Sequence, residues 1–342
     1  MKKKIIIAIV SILLLISVFA YVTYNKIYHE NVNQTAFLYI PSEADFDTVL
    51  ELITPYIKNK KSFIWVAEKK NYPNMVRAGK FKITEGMNND ELVNHLRGGK
   101  QETVNLVFNN QDSLEKLAGR VAAQIEADSL SVLQALKDDE FLSGKKFSSV
   151  TALTMYIPNS YDFYWNTSAK EFRYRMFIEY NTFWNKERIE KAKAQNLTPL
   201  QVSTLASIVQ KETAKVSERP KVAGLYLNRL KDFWPLQADP TIIFAIKQDQ
   251  GQDVEIKRGL NNDLTIDSPY NTYTNFGLPP GPIGMPDISS INAVLNPIDH
   301  KYYYMCASIE KPGEHEFAKT LSQHNVNARK YQNWMNQQGI KR

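Results

Sequence analysis

SIVQKETAKVSERPKVAGLYLNRL, Ser207 to Leu230, has a helical rhythm with one polar interruption. Val202, Leu205, Ile208 and Val209 fall at the spacing of one helix face, and the next position on that face is Glu212. A carboxyl group on an apolar face loses hydration, which disfavours its charged form and raises its pKa. A carboxylic acid kept protonated near neutrality can donate a proton to a leaving group, as glycoside cleavage requires. From the helix alone, a partly buried ion pair with Lys or Arg is the favoured reading, because structural ion pairs also perturb carboxyl groups. Thr198-Pro199 supplies the helix start. Downstream, Ser217 is placed to cap a second helix, with Glu218 in its positive first turn and Pro220 tolerated there. Capping accounts for Glu218 without any chemistry. Val222, Leu225, Tyr226 and Arg229 share a face of that second helix.

Upstream, Ile5 to Val22 carries no charge and is near the lower limit for spanning a bilayer. Lys2, Lys3 and Lys4 precede it and Lys26 follows. The heavier positive flank predicts a cytoplasmic N-terminus and an external remainder. An uncleaved anchor is expected over a cleaved signal, because Ala20-Tyr21-Val22 is a poor cleavage site and no lipid-acceptor cysteine is present. A polar linker follows. Ala36–Pro41 predicts a strand, Asp45–Ile57 a helix ended near Pro55, and Gly79–Ile83 a strand. Residues 86–99 predict a helix capped by Asn88 or Asn89 and stopped by the Gly98-Gly99 pair, and Glu102–Phe108 a half-buried strand. Such strand–helix units make a compact α+β module. Ser113 to Trp184 is mainly helical, broken by a loop at Tyr156–Trp165. Trp234 to His324 is expected to be loop-rich, before a last helix from His324 to Gln337.

The 342 residues are 43% hydrophobic, enough for two ordinary domains, and the net charge of +6 is mild. No basic stripe with interleaved aromatics argues for nucleic acid. Cys306 is the only cysteine, so no intramolecular disulfide forms, and its expected role is a small buried apolar residue. His29, His95, His300, His315 and His324 form no HExxH and no close His/Cys pair, so no metal or other cofactor is expected. Neither G-x-S-x-G nor GxxxxGK[ST] occurs. Ser268–Pro286 combines Pro279, Pro280 and Pro282 with Gly277, Gly281 and Gly284. Its Tyr270, Asn271, Thr272 and Tyr273 offer rings and neutral hydrogen-bonding groups suited to a sugar cleft, or else form an ordered structural loop.

Ser207–Leu230, then PLQADPTIIFAI (Pro235–Ile246), SPYNTYTNFGLPPGPIGMP and HEFAKTLSQHN (His315–Asn325) resemble, in order, the MltG-type or YceG-like endolytic murein transglycosylases. KFKITEGMNNDELVNHLRGG resembles the family's LysM-like module, and Pro158–Tyr161 a family turn usually written with an acidic residue and a threonine. The resemblance covers nearly the whole chain. It implies an α+β protein with an N-terminal transmembrane helix, a small LysM-like α+β module and a mixed helical and loop-rich catalytic domain. The expected divisions are a tail at 1–4, anchor 5–24, linker 25–34, module 35–110, helical connection 111–195 and catalytic domain 196–342.

The implied reaction cleaves the β-1,4 bond between N-acetylmuramic acid and N-acetylglucosamine in nascent peptidoglycan, leaving 1,6-anhydromuramyl ends. It makes the chain a lyase of cell wall assembly at the inner membrane, with peptidoglycan synthases as partners. The family's acid/base glutamate falls on Glu212. Asp239 matches a family position and is expected to shape the cleft, with Gln237, Thr241, Tyr270, Asn271, Thr272 and Tyr273 as substrate-binding residues beside it. Gln210 stands where the family often has Glu, and Ala238 where Thr is common. A lysozyme-type hydrolase and a membrane-anchored peptidoglycan-binding scaffold are the competing readings.

Overall fold

A computed structural model describes residues 2–98, 100–251 and 264–338. Gly99, half of the expected helix-stopping pair, lies outside them. The chain is a mixed α+β protein behind an N-terminal apolar helix. It divides into two units. One runs up to Leu106 and includes Ala122–Asp128 and Tyr161–Ser168; the other is Val107–Val121, Ser129–Ser160 and the described residues from Ala169 on.

The first unit opens with α1 (Lys2–Tyr28), 27 residues with mean hydropathy 3.0 over its most apolar window. At 1.5 Å per residue it is about 40 Å long, against a bilayer core of about 30 Å. None of its residues is buried. The linker expected over 25–34 takes a different form. The helix continues to Tyr28, and Asn31 and Val32 beyond it are buried. Then come β1 (Ala36–Ile40), α2 (Phe46–Ile53), α3 (Lys60–Lys69), β2 (Gly79–Ile83) and α4 (Asn89–Gly98). β1 and β2 pair antiparallel, Ala36 opposite Ile83 and Ile40 opposite Gly79. Their inward residues Leu38, Ile40, Phe81 and Ile83 meet Val49, Ile53, Phe63, Leu92 and Leu96 in one core.

Asn88 caps α4 reciprocally with Glu91, accepting its backbone N–H at 3.0 Å while the Glu91 carboxylate accepts from the Asn88 N–H at 3.2 Å. Asn89 is buried instead. Its amide donates to the Lys26 carbonyl at 2.8 Å and to Ser62 Oγ at 3.0 Å, and its oxygen accepts from Asn31 at 2.7 Å. That network joins the end of α1 to the module. Asn89→Leu leaves the Asn31 amide without this acceptor, and an unpaired buried group costs about 1–3 kcal/mol. A lowered Tm in thermal denaturation, with Asn94→Leu on the same helix as the control, checks this.

β3 (Thr103–Phe108) pairs with β4 (Asn159–Tyr164). The loop expected at Tyr156–Trp165 is thus largely a strand. Tyr161 and Phe163 are buried while Ser160, Asp162 and Tyr164 are exposed, the period of two that a half-buried strand shows.

The second unit holds α5 (Leu114–Ala122), α6 (Ser129–Leu136), α7 (Asp139–Gly144), α8 (Ala169–Phe183) and α9 (Lys186–Ala194). They lead to α10 (Pro199–Glu212), α11 (Arg219–Lys231), α12 (Asp239–Gln250), α13 (Ile288–Leu295), the hairpin β5 (Tyr304–Ala307) and β6 (His315–Ala318), and α14 (Leu321–Gln337). Among its described residues, the third expected to be loop-rich therefore contains α12, α13 and a hairpin, and the last helix starts at Leu321, capped by Thr320.

α10 starts where expected, Thr198 and Gln201 forming a capping box around Pro199. It is more than an amphipathic surface helix. Every residue from Val202 to Val209 is buried, and the helix packs against α11, α12 and α13. Ser203, Thr204 and Ser207 give it a second face on which neighbours approach closely. Ser207 Oγ donates to the Thr204 carbonyl at 2.7 Å and accepts the Ile283 N–H at 3.0 Å, which ties down the proline-rich loop.

Two glycines permit backbone contact. A Cβ on Gly281 would lie 2.6 Å from the Val150 carbonyl, and one on Gly224 in α11 would lie 2.5 Å from the Ile298 carbonyl. Gly224→Ala therefore forces α11 away from the 298–300 segment, at about 1–3 kcal/mol. Urea unfolding of Gly224→Ala beside Gly119→Ala, whose added methyl meets nothing within 4 Å, measures the difference.

Candidate active site

Glu212 is the last residue of α10 and is partly buried. The helix stops there because Thr213 turns to an extended conformation. Tyr226, buried on α11, donates its hydroxyl to Glu212 Oε2 at 3.1 Å. Loss of hydration dominates the carboxyl group's surroundings and pushes its pKa up to about 7. His315, the Tyr226 hydrogen bond and Arg229 oppose that rise, and the Asp239 charge adds to it. An ion pair with Lys or Arg, the reading that the helix alone favoured, is not what holds Glu212. The neighbouring Lys211 instead binds Asp112 at 2.7 Å.

Asp239 begins α12 and accepts the Tyr273 hydroxyl, so these two and Glu212 converge. Tyr273 is half-buried, and burial followed by the Asp239 bond drives its hydroxyl pKa upward. Gln237 is exposed in a left-handed conformation (φ 48°), and its N–H donates to the Thr272 carbonyl at 2.9 Å.

The remaining residues expected to bind substrate are turned inward. Thr241 is fully buried and bonds the Ala238 carbonyl at 2.7 Å and Thr272 Oγ1 at 2.9 Å. Thr272 Oγ1 accepts the Ala238 N–H at 3.0 Å. Asn271 donates to the carbonyls of Leu264 and Ile266 at 3.0 and 2.9 Å and accepts from the Tyr273 N–H. Tyr270 packs on Phe244 with ring centroids 4.7 Å apart. These four residues hold the segment that carries Tyr273 against the start of α12.

Sequence reasoning passed over four side chains. Tyr226 and Arg229 were legible only as one face of α11. Arg229 is buried, its Nε donating to the Tyr303 carbonyl at 2.8 Å and its Nη1 to the Leu236 carbonyl. Glu218 occupies the N-cap position of α11 but makes no capping hydrogen bond. It is buried and accepts both the His315 N–H at 2.6 Å and His315 Nδ1 at 3.0 Å. Capping therefore does not explain Glu218, and nothing local in the sequence announces a partner 97 residues away.

Size of cavity alone would direct attention elsewhere. A recess of about 1090 Å³, lined by Gly224, Asn228, Lys231 and Phe233 among others, lies on the face of α11 turned away from Tyr226 and Arg229. Its lining includes Lys231, Asp299 and His300 and none of the residues that converge on Glu212.

A sequence profile of the YceG-like family matches residues 38–330. The chain belongs to the YceG-like family. It is 28% identical over 310 residues to the endolytic murein transglycosylase of Bacillus subtilis, covering 85% of this chain and 83% of that one. It is 27% identical to the endolytic murein transglycosylase of Streptococcus pneumoniae, covering 81% of this chain and 54% of that longer one. A crystal structure of a yceG-like protein from Listeria monocytogenes superposes with a TM-score of 0.56 at 27% identity, over 86% of this chain and 98% of that one. Gln210 of this YceG-like chain has a structural reason to be an amide. It accepts the Asp287 N–H at 2.6 Å and donates to the Met285 carbonyl at 3.3 Å, a pair that a carboxylate cannot make.

Proposed function

We propose that this chain is an endolytic murein transglycosylase, a lyase that cuts the β-1,4 bond between N-acetylmuramic acid and N-acetylglucosamine in nascent peptidoglycan strands. The observation that carries the reading is Glu212 at the end of a buried helix, accepting the buried Tyr226 hydroxyl, in surroundings whose loss of hydration raises its pKa to about 7. In the protonated state Glu212 gives its proton to the glycosidic oxygen as the C1–O4 bond breaks. The C6 hydroxyl oxygen of the muramyl residue bonds to C1, and its proton returns to Glu212. No water is consumed. The Tyr226 hydroxyl steadies the carboxylate between the two transfers. Asp239 and Tyr273 line the substrate side, with Gln237 exposed beside them. Thr241, Tyr270, Asn271 and Thr272 serve by shaping that wall.

We assign α1 as an uncleaved single-pass inner-membrane anchor with the N-terminus cytoplasmic. The packing of its last turn into the module supports this. Residues 35–110 then form a LysM-like module, 111–195 a helical connection and 196–342 the catalytic domain, acting beside peptidoglycan synthases in wall assembly.

Digestion of uncrosslinked peptidoglycan by the full chain in detergent micelles, read by mass spectrometry, tests the reading. Anhydromuramyl ends from the wild type and none from Glu212→Gln are expected. Reducing muramic acid ends would mean hydrolysis with Asp239 as base. Binding without cleavage would leave a scaffold.

A further inference from the structure

The end of α1 and the start of α3 enclose a cavity that the reaction outlined above does not use. It measures about 540 Å³ and is lined by Asn25, Lys26, His29, Lys58 and Asn59 among others. Its walls are fixed to each other. α1 packs against α3 and α4, and the buried Asn89 amide holds the Lys26 carbonyl at 2.8 Å. Asn31, just beyond α1, donates to the Asn59 carbonyl at 3.1 Å and accepts the Asn59 N–H at 2.7 Å.

α1 sets the level of this cavity. The uncharged run Ile5–Val22 is about 27 Å long at 1.5 Å per residue, close to the thickness of a hydrocarbon core. Thr23–Tyr28 adds about 9 Å and so stands in the headgroup layer. Tyr21, Tyr24 and Tyr28 are exposed along it, as interfacial aromatics are. Val22 also lines the cavity. The cavity therefore begins at the edge of the apolar core and continues at headgroup level.

The polar part of the lining offers donors. Lys26 Nζ lies 5.3 Å from the centre of the Trp65 ring and pairs with no carboxylate among the described residues. Lys69 places a second ammonium 5.9 Å from the same ring. Asn59 commits its oxygen to the Ser62 N–H at 3.0 Å, and its Nδ2 meets no acceptor among the described residues. Among those residues the lining holds one carboxylate, Glu30, which is exposed and lies 3.6 Å from Lys58 Nζ. Along these two segments Lys26, Lys58, Lys60, Lys61 and Lys69 outnumber Glu30 and Glu68.

We propose that this cavity binds the phosphodiester headgroup of an anionic phospholipid, with Lys26 and Lys58 as its cations and the acyl chains running along α1 past Val22. The inference rests on the assignment of α1 as a membrane anchor. It gives that anchor a second hold, which fixes the tilt of the module on the membrane surface. Lysines at the headgroup level attract anionic lipid, and a free phosphate would leave the apolar end of the cavity unused.

The full chain in detergent micelles is titrated with phosphatidylglycerol or phosphatidylcholine, and bound lipid is counted by native mass spectrometry. The wild type is expected to retain one phosphatidylglycerol about 10-fold more tightly than phosphatidylcholine. Lys26→Gln and Lys58→Gln should each weaken phosphatidylglycerol binding about 5-fold. Glu30→Gln should strengthen it, because it removes a like charge and frees Lys58, and a variant that merely loosened the fold would not bind more tightly. Lys82→Gln, exposed on β2 and outside the cavity, should change nothing. Equal retention of the two lipids, or a preference that both lysine variants keep, overturns the site. Displacement of the bound lipid by millimolar inorganic phosphate also overturns it, by making the cavity a free-phosphate site. Reconstitution into phosphatidylcholine vesicles tests the anchor separately. A chain that stays outside them after detergent removal overturns the anchor, and the micelle titration still decides whether the cavity takes the headgroup.

Discussion

Glu212→Gln is expected to lower strand cleavage by orders of magnitude and at the same time to stabilise the protein above pH 7. Loss of a general acid/base costs about 10²–10⁴-fold in rate. Glutamine keeps an oxygen to accept from Tyr226 Oη, so the site's shape survives. The stability change follows from proton linkage. The folded carboxyl group has a pKa of about 7 against an ordinary 4.5 for the unfolded chain. The folded state therefore binds this proton more tightly. The resulting stability is fully present below pH 4.5 and is lost as pH rises through 7. Above that range the ionised group destabilises the fold by up to about 3 kcal/mol. The glutamine side chain cannot ionise. Its Tm should therefore match the wild type near pH 4.5 and exceed it at pH 8. Calorimetry across that range measures this, and an equal difference at both ends would mean that Glu212 does not titrate there. Wild-type cleavage should fall over the same interval, because only the protonated acid begins the reaction.

Arg229→Met is expected to lower stability by about 3 kcal/mol, because one buried and one part-buried carbonyl lose a charged donor. Those carbonyls belong to Leu236, beside the turn that presents Gln237 and Asp239, and to Tyr303, which leads into β5. The guanidinium thus ties the start of α12 and the hairpin to α11. For a unit of this size the loss corresponds to a fall of roughly 6–12 °C in Tm. Lys231→Met, two residues on and exposed, is the control and should change stability by no more than about 0.5 kcal/mol. Arg229 also favours the ionised form of Glu212, so the variant's basic limb should lie at higher pH than the wild type's. A Tm like that of Lys231→Met would show that the two carbonyls find other donors.

Much of the local structure was legible because its causes are local. The strands Ala36–Ile40 and Gly79–Ile83 alternate, and Thr198-Pro199 begins a helix through groups within one turn of it. The strand at Asn159–Tyr164 was equally legible by its alternation, but Pro158 before it and Asn159-Ser160 at its start favoured a loop. α12 was harder, because Gln-Ala-Asp-Pro-Thr looks like a turn and only packing against α10 makes it the start of a helix.

The sequence by itself determined that a carboxyl group sits at the end of an apolar helical stripe, that an apolar segment long enough to cross a membrane precedes everything else, and that this order of motifs is the family's. These depend on spacing along the chain. Only the tertiary structure decided which polar residues are exposed beside Glu212 and which face inward. Thr241, Asn271 and Thr272 are the same residue types as a sugar-binding set, yet they close hydrogen bonds that burial would otherwise leave open. Glu218 could cap a helix, yet it reaches His315 across 97 residues. Hydrogen bonds and charges act through space. The partners of a buried polar group are therefore set by which elements pack together, and no local pattern records them.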